Sequence, residues 1–118
     1  MDEETDLIEL TVLRHMKGEM DCPVYVEFPE KDVPERFLLL DKAEGSLEEH
    51  IQGAMILVQS YGPSKLEAAL LNETAKEAMM KLEELPGIAS VELNSDYPFF
   101  DEKRKRHRYQ AVFDITYY

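Results

Sequence analysis

The residues from Arg108 to Tyr118 alternate between two kinds of side chain with a period of two. One set is mostly aromatic or apolar and consists of Tyr109, Ala111, Phe113, Ile115 and Tyr117, and the other set consists of Gln110, Val112, Asp114 and Thr116. Successive side chains of a β-strand point to opposite faces of its sheet. The alternation therefore predicts a strand with one buried face, and so a sheet with a hydrophobic side.

The clearest boundary in the chain is Tyr61-Gly62-Pro63-Ser64. Gly and Pro interrupt a strand. Ser64 and Glu67 have the S-x-x-E spacing of a capping box, so we expect a helix to begin at Ser64. The apolar stripe of this helix consists of Leu71, Ala75, Ala78, Met79, Leu82 and Leu85, and the helix ends at Leu85-Pro86-Gly87.

Shorter patterns predict the remaining elements. Apolar residues at helical spacing predict a first helix over Asp6–Met20, with Thr5 in the capping position and an end near Gly18. Strands are predicted at Val24–Phe28, Arg36–Asp41, Ile51–Tyr61 and Ile88–Leu93. We expect an exposed turn at Ala43–Glu49 and a long polar and aromatic connection at Asn94–His107.

The resulting order α-β-β-β-α-β-β predicts an α+β fold, in which two helices pack on a four- to five-stranded, mostly antiparallel or mixed sheet. The chain has 118 residues, of which 44% are hydrophobic, and this is too short for two independent cores. We therefore expect a single domain over residues 1–118. No apolar run approaches the roughly 20 residues of a membrane-spanning helix, so we expect no membrane association.

Charge is distributed unevenly along the chain. The net charge is −10 over residues 1–50, −4 over residues 51–100 and +2 over residues 101–118. A strongly acidic surface repels the phosphates of nucleic acids, so any binding to nucleic acid would depend on the last segment. The same polarity suits head-to-tail packing of subunits.

Histidine, cysteine, serine and glycine residues occur in this sequence without the spacings typical of metal sites, catalytic sites or phosphate-binding loops. His15, His50 and His107 fall in different segments without a metal-ligand motif, so we interpret His15 as a helix-surface or boundary residue and the other two as loop residues. Cys22, the one cysteine, follows Asp21, whose charge raises the pKa of a thiol. Phosphate-binding glycine loops and nucleophile motifs are absent. We predict no catalytic residue, metal site, cofactor or small-molecule substrate.

One basic run interrupts the acidic chain. The candidate contact residues in it are Lys103, Arg104, Lys105, Arg106 and Arg108. Aromatic residues precede the run, and that combination occurs in nucleic-acid-binding proteins. The net charge of −12 and the flanking acids Asp101 and Glu102 favour instead a contact with another protein subunit, or a solvated loop.

Several segments resemble a known family. Gln59–Ser64 followed by Leu66–Glu73 resembles the strand-to-helix junction of the tail-terminator or head–tail joining proteins of long-tailed bacteriophages and prophages, a group of minor tail and minor capsid proteins. Val91–Tyr97 and Arg108–Ile115 resemble the C-terminal strand pair of that family. The resemblance covers most of the chain after Ile51, weakens before Val24, and departs from the family in its unusually basic loop.

The resemblance implies a tail-terminator-like domain that is a structural component of a virion or prophage and has no catalytic residues. Such proteins form a ring, commonly hexameric, that caps the tail tube, stops its elongation and joins it to the head. The implied partners are copies of the chain itself and the tail-tube and head-completion proteins. The implied location is the cytoplasm of the bacterial host during assembly and the virion tail afterwards.

Two other functions compete with this one. The first is a small nucleic-acid-associated α/β module that uses residues 103–108, for which binding at low salt is the discriminating measurement. The second is a small enzyme whose active site forms between subunits, for which a deep pocket lined by carboxylates would be the sign.

Overall fold

The computed structural model of the chain describes residues 7–48 and 51–118. Its elements are the helix α1 (Leu7–Glu19), the strands β1 (Val24–Tyr25), β2 (Phe37–Glu48) and β3 (Ile51–Gly62), the helix α2 (Lys65–Met80) with a following 3-10 turn (Lys81–Glu84), and the strands β4 (Ile88–Pro98) and β5 (His107–Tyr117). The predicted order and the α+β class are confirmed. Thr5, predicted as a cap, and His50 lie outside the described residues.

The five strands form one mixed sheet in the order β1-β2-β3-β5-β4. β1 pairs parallel with β2, and the other neighbouring strands are antiparallel. β3 and β5 lie at the centre, and their pairing runs without a register shift from Gln52 opposite Tyr117 to Gly62 opposite His107. β2 extends the sheet on one side of this pair, and β4 extends it on the other.

The hydrophobic core lies between one face of the sheet and the two helices. The core face predicted for β5 is confirmed at Ala111, Phe113 and Ile115, while Tyr117 packs against the core partly buried. The opposite face is less polar in its surroundings than the alternation predicts, because Gln110 and Val112 are buried as well. The helices contribute Ile8, Val12 and Met16 from α1, Leu71, Ala75, Ala78 and Met79 from α2, and Leu82 from the 3-10 turn, and Leu85 packs against them partly buried. The apolar stripe predicted for α2 is therefore confirmed as well.

His15 connects the two helices. Its Nε2 lies 2.7 Å from the backbone carbonyl oxygen of Ala78 in α2. A carbonyl oxygen can only accept a hydrogen bond, so Nε2 carries the proton. His15 is thus half-buried between the core-facing and the solvent-facing sides of α1, and it has a structural partner across the interface between the helices.

The start of α2 follows the capping prediction. Ser64 is the N-cap, and its hydroxyl oxygen accepts a hydrogen bond of 3.1 Å from the Glu67 backbone N–H. Gly62, two residues earlier, lies so close to the first turn that a Cβ there would stand 2.6 Å from the Ala68 backbone nitrogen. The glycine therefore permits the close approach of β3 to α2.

The predicted extent of the first strand is wrong. β1 contains two residues rather than the predicted Val24–Phe28. The Phe28 ring packs edge-on against the rings of Phe37 and Tyr61, with 5.6 Å between centroids in both pairs. After Tyr25 the chain leaves the sheet edge, because Phe28 packs into this aromatic cluster and the segment before it no longer pairs with β2.

The exposed turn predicted at Ala43–Glu49 is also wrong over its described part. β2 continues through Glu48, with Gly45 opposite Ala54 and Leu47 opposite Gln52, and a bulge at Lys42/Glu44 shifts the register. The local composition resembles a turn, but pairing with the apolar strand β3 supplies backbone hydrogen bonds that the composition does not reveal.

The predicted connection Asn94–His107 is too long. β4 continues to Pro98, and a bulge between Leu93 and Ser95 shifts the register at Asn94. β5 begins at His107, so this residue belongs to a strand rather than to a loop. The polar residues of β4 lie at a sheet edge, where polar side chains are compatible with a strand.

We predict that Gly62→Ala destabilises the protein by about 2 kcal/mol, because the added methyl group overlaps the backbone of α2. Gly18→Ala is the matched control. A Cβ at Gly18 meets nothing within 4 Å and Gly18 lies within α1, so this change should stabilise the protein by about 0.5–1 kcal/mol. Urea unfolding followed by circular dichroism measures both, and equal stabilities of the two variants would contradict the proposed close approach.

Candidate functional site: the β4–β5 corner

The predicted basic run lies in a tight turn between β4 and β5. Asp101 and Arg106 form a bridge, in which the Asp101 N–H donates to the Arg106 carbonyl at 2.9 Å and the Arg106 N–H donates to the Asp101 carbonyl at 3.2 Å. Lys105 has a positive φ of 58°, which closes the turn. We refer to residues 97–108 as the β4–β5 corner. Four of the five candidate contact residues lie in this turn, and Arg108 lies on β5.

The Asp101 carboxylate is the centre of the corner, with only 4% of its side chain exposed. Its Oδ2 accepts hydrogen bonds from the Tyr61 hydroxyl at 2.9 Å and from Nη1 of Arg104 at 3.2 Å. Its Oδ1 accepts a third from the Arg104 backbone N–H at 3.1 Å. The Arg108 guanidinium lies 3.8 Å from Oδ2. One buried carboxylate thus joins the turn to β3 and β5.

This environment sets the protonation of the cluster. Burial raises the pKa of Asp101, but hydrogen bonds from Arg104 and Tyr61 and the charge of Arg108 outweigh burial, so the pKa lies below its ordinary value. The pKa of Tyr61 is raised, first by burial and then by its hydrogen bond to Asp101. Asp101 is therefore charged and Tyr61 neutral at physiological pH, which is the state in which their hydrogen bond forms.

The three arginines of the corner make intramolecular contacts. The Arg104 guanidinium stacks over the Phe28 ring at 3.9 Å, and Nη1 of Arg106 donates to the Pro34 carbonyl at 3.1 Å. Nε of Arg108 donates to the Phe99 carbonyl at 2.6 Å, and its guanidinium lies 4.2 Å from the centroid of the Phe99 ring. These contacts hold the turn against the rest of the domain.

A row of hydrogen bonds continues from the corner across three strands. Nη1 of Arg108 donates to the Gln59 side-chain oxygen at 3.4 Å, and the Gln59 side-chain nitrogen donates to the Gln110 side-chain oxygen at 2.8 Å. The Gln110 side-chain nitrogen donates to the Tyr97 hydroxyl at 2.6 Å. This row lies on the sheet face opposite the helices, because Gln59 and Gln110 alternate with the core residues of β3 and β5.

Of the five candidate contact residues, the structure leaves the two lysines to solvent. Lys105 has 76% of its side chain exposed and makes one exposed ion pair, with Glu102 at 3.6 Å. Lys103 is exposed and forms no ion pair with any residue that the structure describes. The sequence contains a signal for this division, since Asp101 and Arg104 are three residues apart and can form an ion pair, but composition shows Asp101 only as an acid that flanks the basic run.

Aromatic side chains accompany the two lysines at the corner. Tyr97, Phe99 and Phe100 are between 38% and 41% exposed. The Phe99 ring packs edge-on against Tyr97, with 6.0 Å between centroids, and Phe100 packs edge-on against His107 at 5.1 Å. His107 is therefore half-buried as a packing partner of Phe100. The corner thus carries exposed aromatic rings and exposed lysines within one short segment of the chain.

The other candidate position for chemistry, Cys22, lies in an environment that disfavours a reactive thiolate. Cys22 is half-buried, and burial raises the pKa of its thiol, with Asp21 acting in the same direction and Arg36 against it. Within residues 7–48 and 51–118, no group of three or more His, Cys, Asp or Glu side chains could hold a metal ion. In the same part of the chain, neither helix is long and apolar enough to cross a membrane.

The fold has a counterpart among solved structures. The chain is similar to a chain in the virion of a native gene transfer agent (GTA) particle. The two superpose with a TM-score of 0.63 and 13% sequence identity, over 98% of this chain and 87% of the other. At this identity the likeness shows a shared fold. No family model and no curated protein matches the sequence.

We predict that Asp101→Asn destabilises the protein by about 3 kcal/mol at neutral pH, because the arginines around it lose their buried counter-charge. A carboxyl group whose pKa is lowered in the folded protein contributes its full stabilisation at pH values above its ordinary pKa of 3.8. Its contribution is lost as the pH falls through the lower pKa of the folded state. The difference between wild type and variant should therefore narrow below about pH 4.

Urea unfolding at neutral and at acidic pH measures this difference. Glu102→Gln is the matched control, because Glu102 lies next to Asp101 and its side chain is 80% exposed. The control should change stability little at either pH. A variant at Asp101 that is as stable as this control would contradict the central role of the buried carboxylate.

Proposed function

We propose that the chain is a structural component of a phage-like virion, and specifically a ring-forming tail-terminator or head–tail joining protein. The observation that carries this proposal is the fold shared with a chain of the gene transfer agent virion along 98% of this chain. The resemblance to the tail-terminator family is a separate source of support, because it rests on the amino-acid sequences of four segments and not on the fold.

The distribution of charge and exposed surface is compatible with a ring. A subunit in a ring presents two different surfaces that complement each other. Here the exposed cations Lys103 and Lys105 lie on a chain with a net charge of −12, so another copy offers abundant carboxylates. Electrostatic complementarity of this kind sets the register of a contact and speeds association.

The proposal extends to partners and location. In addition to copies of itself, the protein would contact tail-tube and head-completion proteins, first in the bacterial host cytoplasm and then in the virion tail. It would act by assembly rather than by catalysis, with no cofactor and no small-molecule substrate. The described pockets are open surface depressions, and none of them collects carboxylates in the manner of a hydrolase site.

Electron microscopy and mass photometry of the purified protein test the ring. We expect ring-shaped particles, and for a hexamer a mass of six 13.7-kDa chains, about 82 kDa. Raising the salt concentration should shift the population toward smaller species, because salt screens the exposed lysines. A protein that remains monomeric at high concentration and when mixed with tail tubes would contradict the proposal.

The alternative of a nucleic-acid-associated module keeps one observation in its favour, the exposed aromatic rings of Phe99 and Phe100 beside Lys103 and Lys105. Against it, Arg104, Arg106 and Arg108 make protein contacts, so few cations remain for phosphates. We expect no binding to single- or double-stranded DNA in fluorescence anisotropy at low salt. Tight binding that weakens steeply with salt would favour the alternative instead.

A further inference from the structure

The solvent side of α2 carries a stripe of five exposed residues. These are Leu66, Leu70, Glu73, Glu77 and Met80. Their spacings of three and four residues place them along one side of a helix. The buried residues of α2 lie on the opposite side, against the sheet. We call these five residues the α2 outer stripe.

The apolar residues of the α2 outer stripe have no partner to cover them within the described part of the chain. Leu66 is 68% exposed and Leu70, one turn later, is 59% exposed. The side of a surface helix that faces water normally carries charged or polar residues. Single exposed leucines are common, but apolar residues that adjoin one another and are bordered by charge are typical of a contact surface.

The same stripe is acidic between its apolar ends. Glu73 forms an ion pair with Lys76 at 2.6 Å, but Lys76 also forms an ion pair with Asp96 of β4. The single positive charge of Lys76 therefore neutralises only one of these two carboxylates. Glu77 forms no ion pair with any described residue. The stripe therefore combines apolar side chains with net negative charge.

The β4–β5 corner presents the complementary surface. We define the corner patch as Tyr97, Phe99, Phe100, Lys103 and Lys105, which are the exposed aromatic residues of the corner and the two exposed cations that do not contact Asp101; Arg104, partly exposed, is held by Asp101 and Phe28. Aromatic residues are enriched in protein interfaces and often dominate their binding energy. The buried Asp101 cluster holds the turn that presents this patch, so little conformational freedom of its backbone would be lost on binding.

We propose that the corner patch of one copy binds the α2 outer stripe of the next, with the aromatic rings against the leucines and the lysines beside the glutamates. The two surfaces differ, so a copy that gives its corner patch to one neighbour and its α2 outer stripe to another makes a heterologous contact that repeats from subunit to subunit. The inference rests on the proposed function and specifies its interface. A second copy is the occupant that the charges favour, because its corner patch offers two exposed lysines to the acidic stripe even though the chain as a whole carries a net charge of −12, whereas nucleic acid offers the stripe only negative charge.

Two variants interrupt the contact from its two sides. The stripe variant is Leu66→Glu with Leu70→Glu, and the corner variant is Lys103→Glu with Lys105→Glu. All four side chains are exposed, so we expect folding to be preserved, as circular dichroism and thermal melting would verify. Each variant should weaken self-association at least about tenfold, because central contacts dominate binding energy. Sedimentation velocity over a range of concentrations measures this effect.

Matched controls carry the same substitutions elsewhere. Leu47→Glu changes a leucine that is 69% exposed near the end of β2, outside both surfaces. Lys17→Glu with Lys31→Glu reverses two exposed lysines outside both surfaces. Both controls should assemble as the wild type does. A general effect of added negative charge would weaken the controls as much as the variants, and this result would overturn the inference.

Mixing the two variants is the decisive measurement. The stripe variant keeps an intact corner patch, and the corner variant keeps an intact stripe, so one contact can form between them but cannot repeat. We expect two monomers that yield, on mixing, a species of two 13.7-kDa chains, about 27 kDa. A mixture that remains monomeric, or variants that assemble as the wild type does, would overturn the inference.

The wild-type protein separates this inference from the proposed function. Wild-type rings together with variants that still assemble would overturn the stripe-to-corner contact and leave the proposed function standing. A wild-type chain that never assembles, alone or with tail tubes, would overturn the proposed function and the inference with it. Rings that the two variants abolish and the controls preserve would support both.

Discussion

The antiparallel pairing of β3 with β5 is the interaction on which the rest of the structure depends. On one face of the sheet it places Ile56 opposite Phe113 and Val58 opposite Ala111, and this apolar surface is what both helices cover. On the other face the same register places Tyr61 opposite Arg108. A shift by one residue would exchange the two faces, so hydrophobic burial also fixes the geometry of the polar corner.

The buried Asp101 carboxylate holds the turn between β4 and β5 in place against β3 and β5. A buried charge costs free energy unless hydrogen bonds and opposite charges surround it. Here the Tyr61 hydroxyl, the Arg104 backbone and two guanidinium groups supply them. As a consequence, the arginines and the lysines of this basic run have different roles. The arginines hold the turn through contacts within the domain, and the lysines extend into solvent. Arginine suits the first role because its guanidinium can stack and donate several hydrogen bonds at once.

The sequence predicted those parts of the fold in which local pattern and tertiary environment agree. The core face of β5, the stripe of α2 and the Ser64 cap each depend on periodicity or a local hydrogen bond, and all three are confirmed. The errors lie where a distant partner overrides local composition. The polar second half of β2 is a strand because β3 lies beside it, and β1 is short because Phe28 joins an aromatic cluster.

The candidate site was predictable in position but not in internal structure. A run of basic residues is visible in any sequence, but which members remain at the surface depends on partners far along the chain, such as Phe28 for Arg104 and Pro34 for Arg106. The α2 outer stripe was missed for a different reason. Leu66 and Leu70 lie opposite the predicted apolar stripe of α2, so their direction follows from the sequence, but only the structure shows that no described residue covers them.

The strand order has a consequence for how the protein is made. β5 follows both β3 and β4 in the chain, yet it lies between them in the sheet. A nascent chain that has reached β4 therefore has two strands that lack their shared neighbour, with backbone groups open to mispairing. Pairing across this sequence distance forms slowly. Synthesis of β5 is thus the event that closes the sheet and creates the corner, so the surface through which we propose that copies bind one another exists only once this strand is in place.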